Sequence, residues 1–485
     1  MARTGLQTRR KCDIFHLDTA SSYVAPIKNK IMGGDMTGST SLDYSSGERR
    51  LVAVSAVLGY GLDFYNLIVL AFLMPVIQKT IDISLPQVGL VVGMTLAGSV
   101  IGGVLFGWLG DRWGRKKALM FTLVLLSGGA ILSACAWDFM SLLVFRFIAG
   151  VGVGGEWGAG MVLFNEVWDR NRRGFGSAIV QAASSIGLML AALVVTWALK
   201  TFPPDMAWRI SLLIGALPIV LMFAVRRGMP ESHLWSEFQA LEAAGKLPEE
   251  KRRERSPLIE IMTGPSLKYF LCGTVVAGGY IINYQSISVF MPGLMIRNLG
   301  AAQTDLLGVT LFTAAIAAGG MLFSGYLSDA WGRKKAILVS TLIGVGGVLA
   351  IYATGETKFT GDIFAWSTMW AFALWSLGQG SIGQFGPWFA ELYPVELRST
   401  AASTIFTMGR LVGAIAPYLV PVLAQTMGLL NGMMLALAGS AISLAFTLVL
   451  PETAGRRFEV IESKNVADTS LGDRQTSEAA PAKAV

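Results

Sequence analysis

The chain has 485 residues, of which 53% are hydrophobic and only 15% charged, where a soluble globular protein carries about 25% charged residues. Apolar runs of about 20 residues, long enough to cross a bilayer, recur along it and lack the polar faces of a large soluble core. The formal net charge of +7 is spread in short clusters between those runs, which excludes a nucleic-acid face and fits membrane topology.

Residues 1–50 are polar and mixed, with Arg3, Arg9, Arg10 and Lys11 but no apolar core behind them. They are expected to form a cytoplasmic tail and not a signal peptide. Six spans follow at about 51–76, 87–109, 117–136, 141–165, 174–199 and 209–226. A charged linker, 227–268, contains Lys251-Arg252-Arg253-Glu254-Arg255. Six more spans lie at about 269–295, 306–328, 335–353, 363–389, 399–424 and 427–450, and a second tail covers 451–485. The predicted fold is an all-α membrane protein, twelve transmembrane helices in two six-helix bundles, 51–226 and 269–450. Cys12, Cys135 and Cys272 have no metal-ligand spacing, and the last two fall in apolar runs as small core side chains.

Lysine and arginine set the orientation. Arg112, Arg115, Lys116 and Lys117 follow span 2, Arg170, Arg172 and Arg173 follow span 4, and Arg333, Lys334 and Lys335 follow span 8. The opposite loops hold only Lys79, Lys200, Arg297, Lys358 and, at a span edge, Arg209. Short basic loops stay in the cytoplasm, so both termini are expected inside, with the protein in the cell inner membrane.

The second half repeats the first. Gly107-Trp-Leu-Gly-Asp111-Arg-Trp-Gly-Arg-Lys-Lys117 reappears as Gly325-Tyr-Leu-Ser-Asp329-Ala-Trp-Gly-Arg-Lys-Lys335. Glu166 to Arg173 has a looser counterpart in Glu391 to Arg398, and Pro230-Glu231-Ser232 recurs as Pro451-Glu452-Thr453. This is a duplicated bundle, and such transporters place the solute site where the halves meet.

These loops resemble the signature of the major facilitator superfamily. Phe145-Arg146 with Gly150, Gly152 and Gly154, the stretch Glu391-Leu-Tyr-Pro to Arg398, and Pro451-Glu-Thr-Ala-Gly-Arg456 are similar to its sugar-porter branch. Gly154-Gly155-Glu156-Trp157, and Gly409-Arg410 with Gly413 and Pro417, resemble the organic-acid relatives, namely the metabolite–proton, aromatic-acid–proton and lactate or sialate symporters. Span 7 reads Asn283-Tyr284-Gln285-Ser286 and lacks the paired glutamines of sugar porters. The resemblance implies a gate at the signature loops: Gly107, Asp111, Arg112, Gly114 and Arg115, Asp329, Gly332 and Arg333, with Glu166, Arg173, Glu391 and Arg398. The plainer reading of these loops is a topology anchor at the lipid surface.

Gly150-x-Gly152-x-x-Gly155 formally matches a dinucleotide fingerprint, but it lies inside an apolar span with no strand before it. Small residues so spaced let helices approach in lipid. No phosphate-binding Gly-x-x-x-x-Gly-Lys-Ser/Thr loop occurs, so no cofactor is expected beyond a proton gradient.

Ionisable residues within spans carry the functional expectation, because each costs about 3 kcal/mol at the bilayer centre unless it pairs or lines water. They are Asp63, Arg146, Glu156 and Arg410. At ~1.5 Å per residue, Asp63 lies roughly 18 Å from the inner face and Arg146 roughly 22 Å, so the two are level. An aspartate beside an arginine stays ionised until the arginine is drawn away, and then takes a proton. Asp63, Arg146 and Glu156 are therefore the proton-coupling candidates, a structural ion pair being the alternative for the first two. Arg410, near the midplane, has the planar fork that suits a carboxylate; a partner for an acidic side chain of the bundle is its other reading. Asn66, Gln181, Ser184, Ser185, Asn283, Tyr284, Gln285, Gln379 and Gln384 are hydrogen-bonding candidates, and Trp157, Trp375 and Trp388 stacking candidates, each also suited to joining helices.

Together these residues predict proton-coupled symport of a small organic acid (a mono- or dicarboxylate or an aromatic acid), with a sugar, polyol or other neutral solute as the alternative and proton-driven drug export third. A membrane enzyme is not expected, because His16 and His233, the only histidines, fall in tail and linker. The expected partners are solute, protons and lipid, without nucleic acid, and the expected state is a monomer.

Overall fold

The structure, a computed structural model, describes residues 44–216, 219–247, 256–302, 305–456 and 458. Most of both expected tails and the basic run 251–255 lie outside the described residues. The amino-terminal half contains α1 (Ser46–Thr80), α2 (Leu85–Trp113), α3 (Arg115–Ala134), α4 (Phe139–Val167), α5 (Arg173–Thr201) and α6, which comes in two pieces, Pro204–Ala216 and Ile219–Gly228. The carboxy-terminal half contains α7 (Gly264–Ser288), α8 (Asp305–Trp331), α9 (Arg333–Thr354) and α10, in which Ser367–Gly378 passes through a 3₁₀ stretch, Gln379–Gln384, into Phe385–Glu391. It closes with α11 (Arg398–Gly413 and Ala416–Met427) and α12 (Leu429–Met433 and Leu435–Val449). Two short helices, His233–Ala243 and Pro257–Ile261, lie between the halves.

Among the described residues, nine helical stretches are long and apolar enough to cross a membrane. The other three spans are α6, α7 and α10. Span α10 is interrupted by its 3₁₀ turn, and α7 is diluted by Asn283, Tyr284 and Gln285, the residues its sequence marks for solute contact.

Local chemistry starts the helices where chain polarity changes. Ser45 and Glu48 form a capping box at α1, the Glu48 N–H donating to Ser45 Oγ at 3.2 Å and the Ser45 N–H to Glu48 Oε2 at 2.9 Å. Asp138 caps α4 by accepting the Ser141 N–H at 2.8 Å. Leu90, Ile101, Leu105, Phe121, Leu193, Leu342 and Leu448 are exposed on the outside of the bundles, a surface that only lipid can cover. Cys272 is buried, but Cys135 is exposed because it stands just past the end of α3, which corrects its assignment to the core.

Helices α2 and α4 pack backbone to backbone. A Cβ on Gly154 would lie 2.6 Å from the Ser99 carbonyl carbon and 2.8 Å from the Gly103 nitrogen, so the Gly-x-Gly run is a packing surface. One buried core draws on both halves, joining Val52, Trp157 and Phe164 to Tyr280, Phe389 and Phe406. The other two large cores stay within one half each: Tyr65, Leu73 and Trp208 in the first, and Ile287, Trp366 and Met433 in the second. The halves thus share packing toward the signature-loop end and part toward the other.

A charged lock and a central cleft

At the signature-loop end, carboxylates of one half cap helix starts of the other. The first N–H groups of a helix have no intrahelical partner and favour negative charge. Asp111, at the end of α2, accepts the N–H groups of Ser399 and Thr400 at the start of α11 at 3.2 and 2.7 Å, and the Thr400 hydroxyl at 2.7 Å. Asp329, at the end of α8, likewise accepts the N–H groups of Gly174 and Phe175 on α5, both at 2.8 Å. Arginines tie these corners together. Arg115 meets Asp111 at 3.1 Å and Glu166 at 3.4 Å, and Arg398 crosses from the second half to Glu166 at 2.8 Å. Arg333 meets Asp329 and Glu391 at 3.0 Å each, while Arg173 crosses to Glu391 at 3.9 Å. The ring of Phe458 lies 3.6 Å from the Arg173 guanidinium and 3.8 Å from that of Arg398.

Gly107 gives α11 room to approach, since a Cβ there would sit 2.8 Å from Ser403 Cβ. Gly114 and Gly332 start α3 and α9 at φ 105° and 101°, a region that favours glycine. Arg112 stands apart, exposed and 5.3 Å over the Trp108 ring. Behind the lock, Glu231 accepts the Lys116 N–H at 3.1 Å, and Glu452 accepts those of Arg333 and Lys334 at 2.9 and 3.0 Å. Burial pushes the Glu231 carboxyl above the ordinary glutamate value. Glu452 is held below it despite partial burial, because the backbone N–H groups of Ala454, Arg333, Lys334 and Thr453 all stabilise the carboxylate.

Beyond the lock, charged side chains of the two halves come together. Asp63 on α1 is buried, its carboxylate oxygens accepting no hydrogen bond among the described residues. Its charged neighbours are Glu156, Arg226 and Arg410. Arg410 on α11 is half-buried and lies over the Phe406 ring at 4.6 Å, with Tyr60 and Asp63 as its electrostatic neighbours and no ion pair among the described residues. A relay links these groups across the halves. Phe406 stacks on Trp157 at 3.8 Å, the Trp157 indole N–H donates to Gln181 Oε1 at 3.3 Å, and Gln181 Nε2 donates to Tyr60 Oη at 2.8 Å.

The expected pairing of Asp63 with Arg146 is not formed. Arg146 donates instead to the Asn66 carbonyl at 3.3 Å, one turn along α1, and its Nε and Nη2 have no partner among the described residues. Counting residues along a helix gives depth but not direction around the axis, and Asp63 turns toward α4, α6 and α11. Glu156 forms a buried ion pair with Arg226 of α6 and accepts the Thr122 hydroxyl at 2.9 Å. Gly59 leaves that pair room, since a Cβ there would run into Glu156 and Arg226.

In the second half, Asn283 is fully engaged. It donates to the Ala436 carbonyl and Ser440 Oγ at 3.3 and 2.9 Å, and accepts Trp375 Nε1 and Gln379 Nε2 at 3.1 and 3.3 Å. Tyr284 stacks between Tyr280 at 6.4 Å and Trp375 at 6.0 Å. Gln285 is half-buried, while Gln384 is buried with both ends of its amide unpaired among the described residues. Tyr280, Asn283, Gln379 and Ser440 also border a small gap of about 10 Å³ inside this bundle, room for about one water molecule. Ser184 bonds the Gln181 carbonyl at 2.7 Å, and Asn66 donates to the carbonyls of Leu62 and Gly215 at 3.0 and 3.2 Å. Trp388 is corrected as a solute contact: its indole donates to the Pro451 carbonyl at 3.1 Å and its ring packs in the core near the lock.

A family model described as Major Facilitator Superfamily matches residues 56–417 and 271–466. The chain belongs to the major facilitator superfamily. It is therefore a secondary transporter and not an enzyme. A protein of Cupriavidus pinatubonensis named as a 4-methylmuconolactone transporter is 28% identical, over 83% of this chain and 90% of that one. The niacin transporter NiaP of Acinetobacter baylyi is 26% identical, over 83% and 94%. The solved proton:xylose symporter XylE shares the fold with a TM-score of 0.70 and 18% identity, over 86% of this chain and 98% of that one.

Four residues of this facilitator's site escaped sequence reasoning. Glu231 and Glu452 had a signal, the repeated Pro-Glu-Ser and Pro-Glu-Thr, but nothing local says which helix they cap. Arg226 closes span 6 and Tyr60 lies within span 1, and nothing beside either in the sequence names its partner. Their partners lie more than a hundred residues away for three of the four and 70 away for Arg226.

Proposed function

We propose that this transporter carries a small organic acid together with protons, by rocking of the bundles 51–226 and 269–450 about the cleft. Arg410 carries the reading: a half-buried guanidinium between the halves, without an ion pair among the described residues. A charge retained at membrane depth serves a partner that comes and goes, and a guanidinium fork suits a carboxylate. Asp63, across the cleft and unpaired, takes the proton that balances the arriving negative charge. Arg146, one turn away, whose Nε and Nη2 have no partner among the described residues, is the partner that Asp63 gains when α1 shifts. Glu156, ion-paired to Arg226 beside Asp63, passes the proton onward.

The positive-inside pattern puts the lock and both termini in the cytoplasm and the protein in the inner membrane. The structure then corresponds to the state closed to the cytoplasm. Two relatives named for organic acids and a fold neighbour named as a proton symporter support the reading.

The test is uptake into proteoliposomes under an imposed pH gradient, with radiolabelled organic acids and sugars. Arg410→Ala is expected to abolish acid uptake, and Asp63→Asn to lose gradient-driven accumulation while keeping solute exchange. Gradient-driven sugar uptake that survives Arg410→Ala would overturn it.

A further inference from the structure

Between Arg410 and the lock, one aromatic contact closes the seam where the halves meet. Phe406 of α11 stacks on Trp157 of α4, with ring centroids 3.8 Å apart and 18° between the planes. Both rings are buried, whereas Arg410, one turn further from the lock, is half-buried. At ~1.5 Å per residue, Phe406 stands about 12 Å from the Arg398 start of α11 and Arg410 about 18 Å. Around the stack α11 has no slack, since a Cβ on Gly158 would run into Ser403 and one on Gly103 into Thr407.

Phe406 has a neighbour on each face. Trp157 at 3.8 Å fills one, so the Arg410 guanidinium, 4.6 Å over the ring, lies on the other. A cation over an aromatic face is attracted to it, more strongly where water is excluded. Trp157 is tied to the first half: its indole N–H donates to Gln181 Oε1 at 3.3 Å, and Gln181 Nε2 donates to Tyr60 Oη at 2.8 Å. The stack therefore has one ring fixed in each half, and Arg410 holds the second ring against the first. A carboxylate that takes this guanidinium neutralises the charge that attracts the ring, so the bound anion loosens the stack beneath it.

We propose that Phe406 is the floor of the solute site, a positioning residue that closes the path from Arg410 to the lock by stacking on Trp157 and that a vacant Arg410 holds shut. The proposal rests on the reading of Arg410 as the partner of the solute's anion, and adds the step by which that anion opens the way onward.

Two cysteine reporters separate the floor from the lock. Ser403, one turn to the lock side of Phe406, answers to the lock alone. Phe64, half-buried beside Asp63 and one turn beyond Tyr60, answers to lock and floor together. The full chain carrying Ser403→Cys or Phe64→Cys is labelled with a membrane-impermeant maleimide in sealed vesicles whose lock side faces the medium, and the labelling of the parent chain is subtracted. The ratio of the Phe64→Cys rate to the Ser403→Cys rate then reports opening of the floor by itself. Phe406→Leu removes both attractions and is expected to raise that ratio about tenfold; Arg410→Gln removes the cation alone and is expected to raise it about three- to fivefold. Phe406→Tyr, which keeps the ring, is expected to leave it unchanged. A ratio unmoved by Phe406→Leu or by Arg410→Gln overturns the proposal. Should Phe406→Leu fail to fold, Arg410→Gln decides. The labelling uses no solute, so it is run beside proteoliposome uptake of benzoate and succinate. Arg410-dependent uptake with an unmoved ratio leaves the organic-acid reading standing without the floor. A raised ratio without such uptake defeats the release step and the reading on which it rests.

Discussion

Replacing Glu166 with glutamine should unlock the signature-loop end without disturbing either bundle. Its carboxylate is fully buried and serves two guanidinium groups, Arg398 of the opposite half at 2.8 Å and Arg115 at 3.4 Å. Arg115 keeps Asp111 at 3.1 Å and the carbonyls of Gly110 and Val395 at 3.1 and 2.8 Å. Among the described residues Arg398 keeps the Ala390 carbonyl at 3.0 Å, the Phe458 ring and the charge of Glu396, with which it forms no hydrogen bond. One buried guanidinium thus loses its ion-pair partner, and removing one partner of a buried pair costs about 3–5 kcal/mol. Taking about 3 kcal/mol, because Arg115 stays paired, the locked state loses roughly 150-fold in population relative to the state in which these corners separate. The assay is maleimide labelling of a cysteine at Ser403, which is buried against Gly107 and Gly158 in the locked state, in membranes open on the lock side. Glu166→Gln should raise the labelling rate by one to two orders of magnitude, toward that ~150-fold ceiling. A rate unchanged by Glu166→Gln, with the protein intact, would show that these ion pairs do not hold the halves together.

The remaining predictions concern stability. The two glutamates behind the lock should respond oppositely to pH. Glu452 is held below its ordinary value, so its contribution is present above about pH 4.3 and is lost as pH falls through its folded value. The melting-temperature gap between the wild type and Glu452→Gln should therefore close on acidification. Glu231 is raised, so its contribution is full below about pH 4.3 and is lost as pH rises through its folded value; Glu231→Gln should become relatively more stable toward neutral pH. Arg226→Leu leaves Glu156 buried and unpaired and should cost about 3–5 kcal/mol, most of it recovered in the Arg226→Leu/Glu156→Gln double variant; thermal melting in detergent separates additive from compensating outcomes. Gly154→Ala drives a methyl into the Ser99–Gly103 backbone and should cost about 1–3 kcal/mol, read as a lower melting temperature. An unchanged melt would mean that α2 and α4 separate without penalty.

What the sequence determined by itself is what local and periodic patterns encode. Apolar run length specified the membrane helices, because an unpaired peptide group in lipid is too costly for other spanning structures. The duplicated loops specified two related bundles, and the charges inside spans singled out Asp63, Arg146, Glu156 and Arg410 on energetic cost alone. Only the tertiary structure decided what those charges face. Asp63 turned from Arg146 toward Arg410, Glu156 found Arg226, Asn283 became a brace for Trp375, and Trp388 went to the lock side of the core. Direction around a helix axis, and contact between residues far apart in the chain, follow from how twelve cylinders pack, and no local pattern of residues records that.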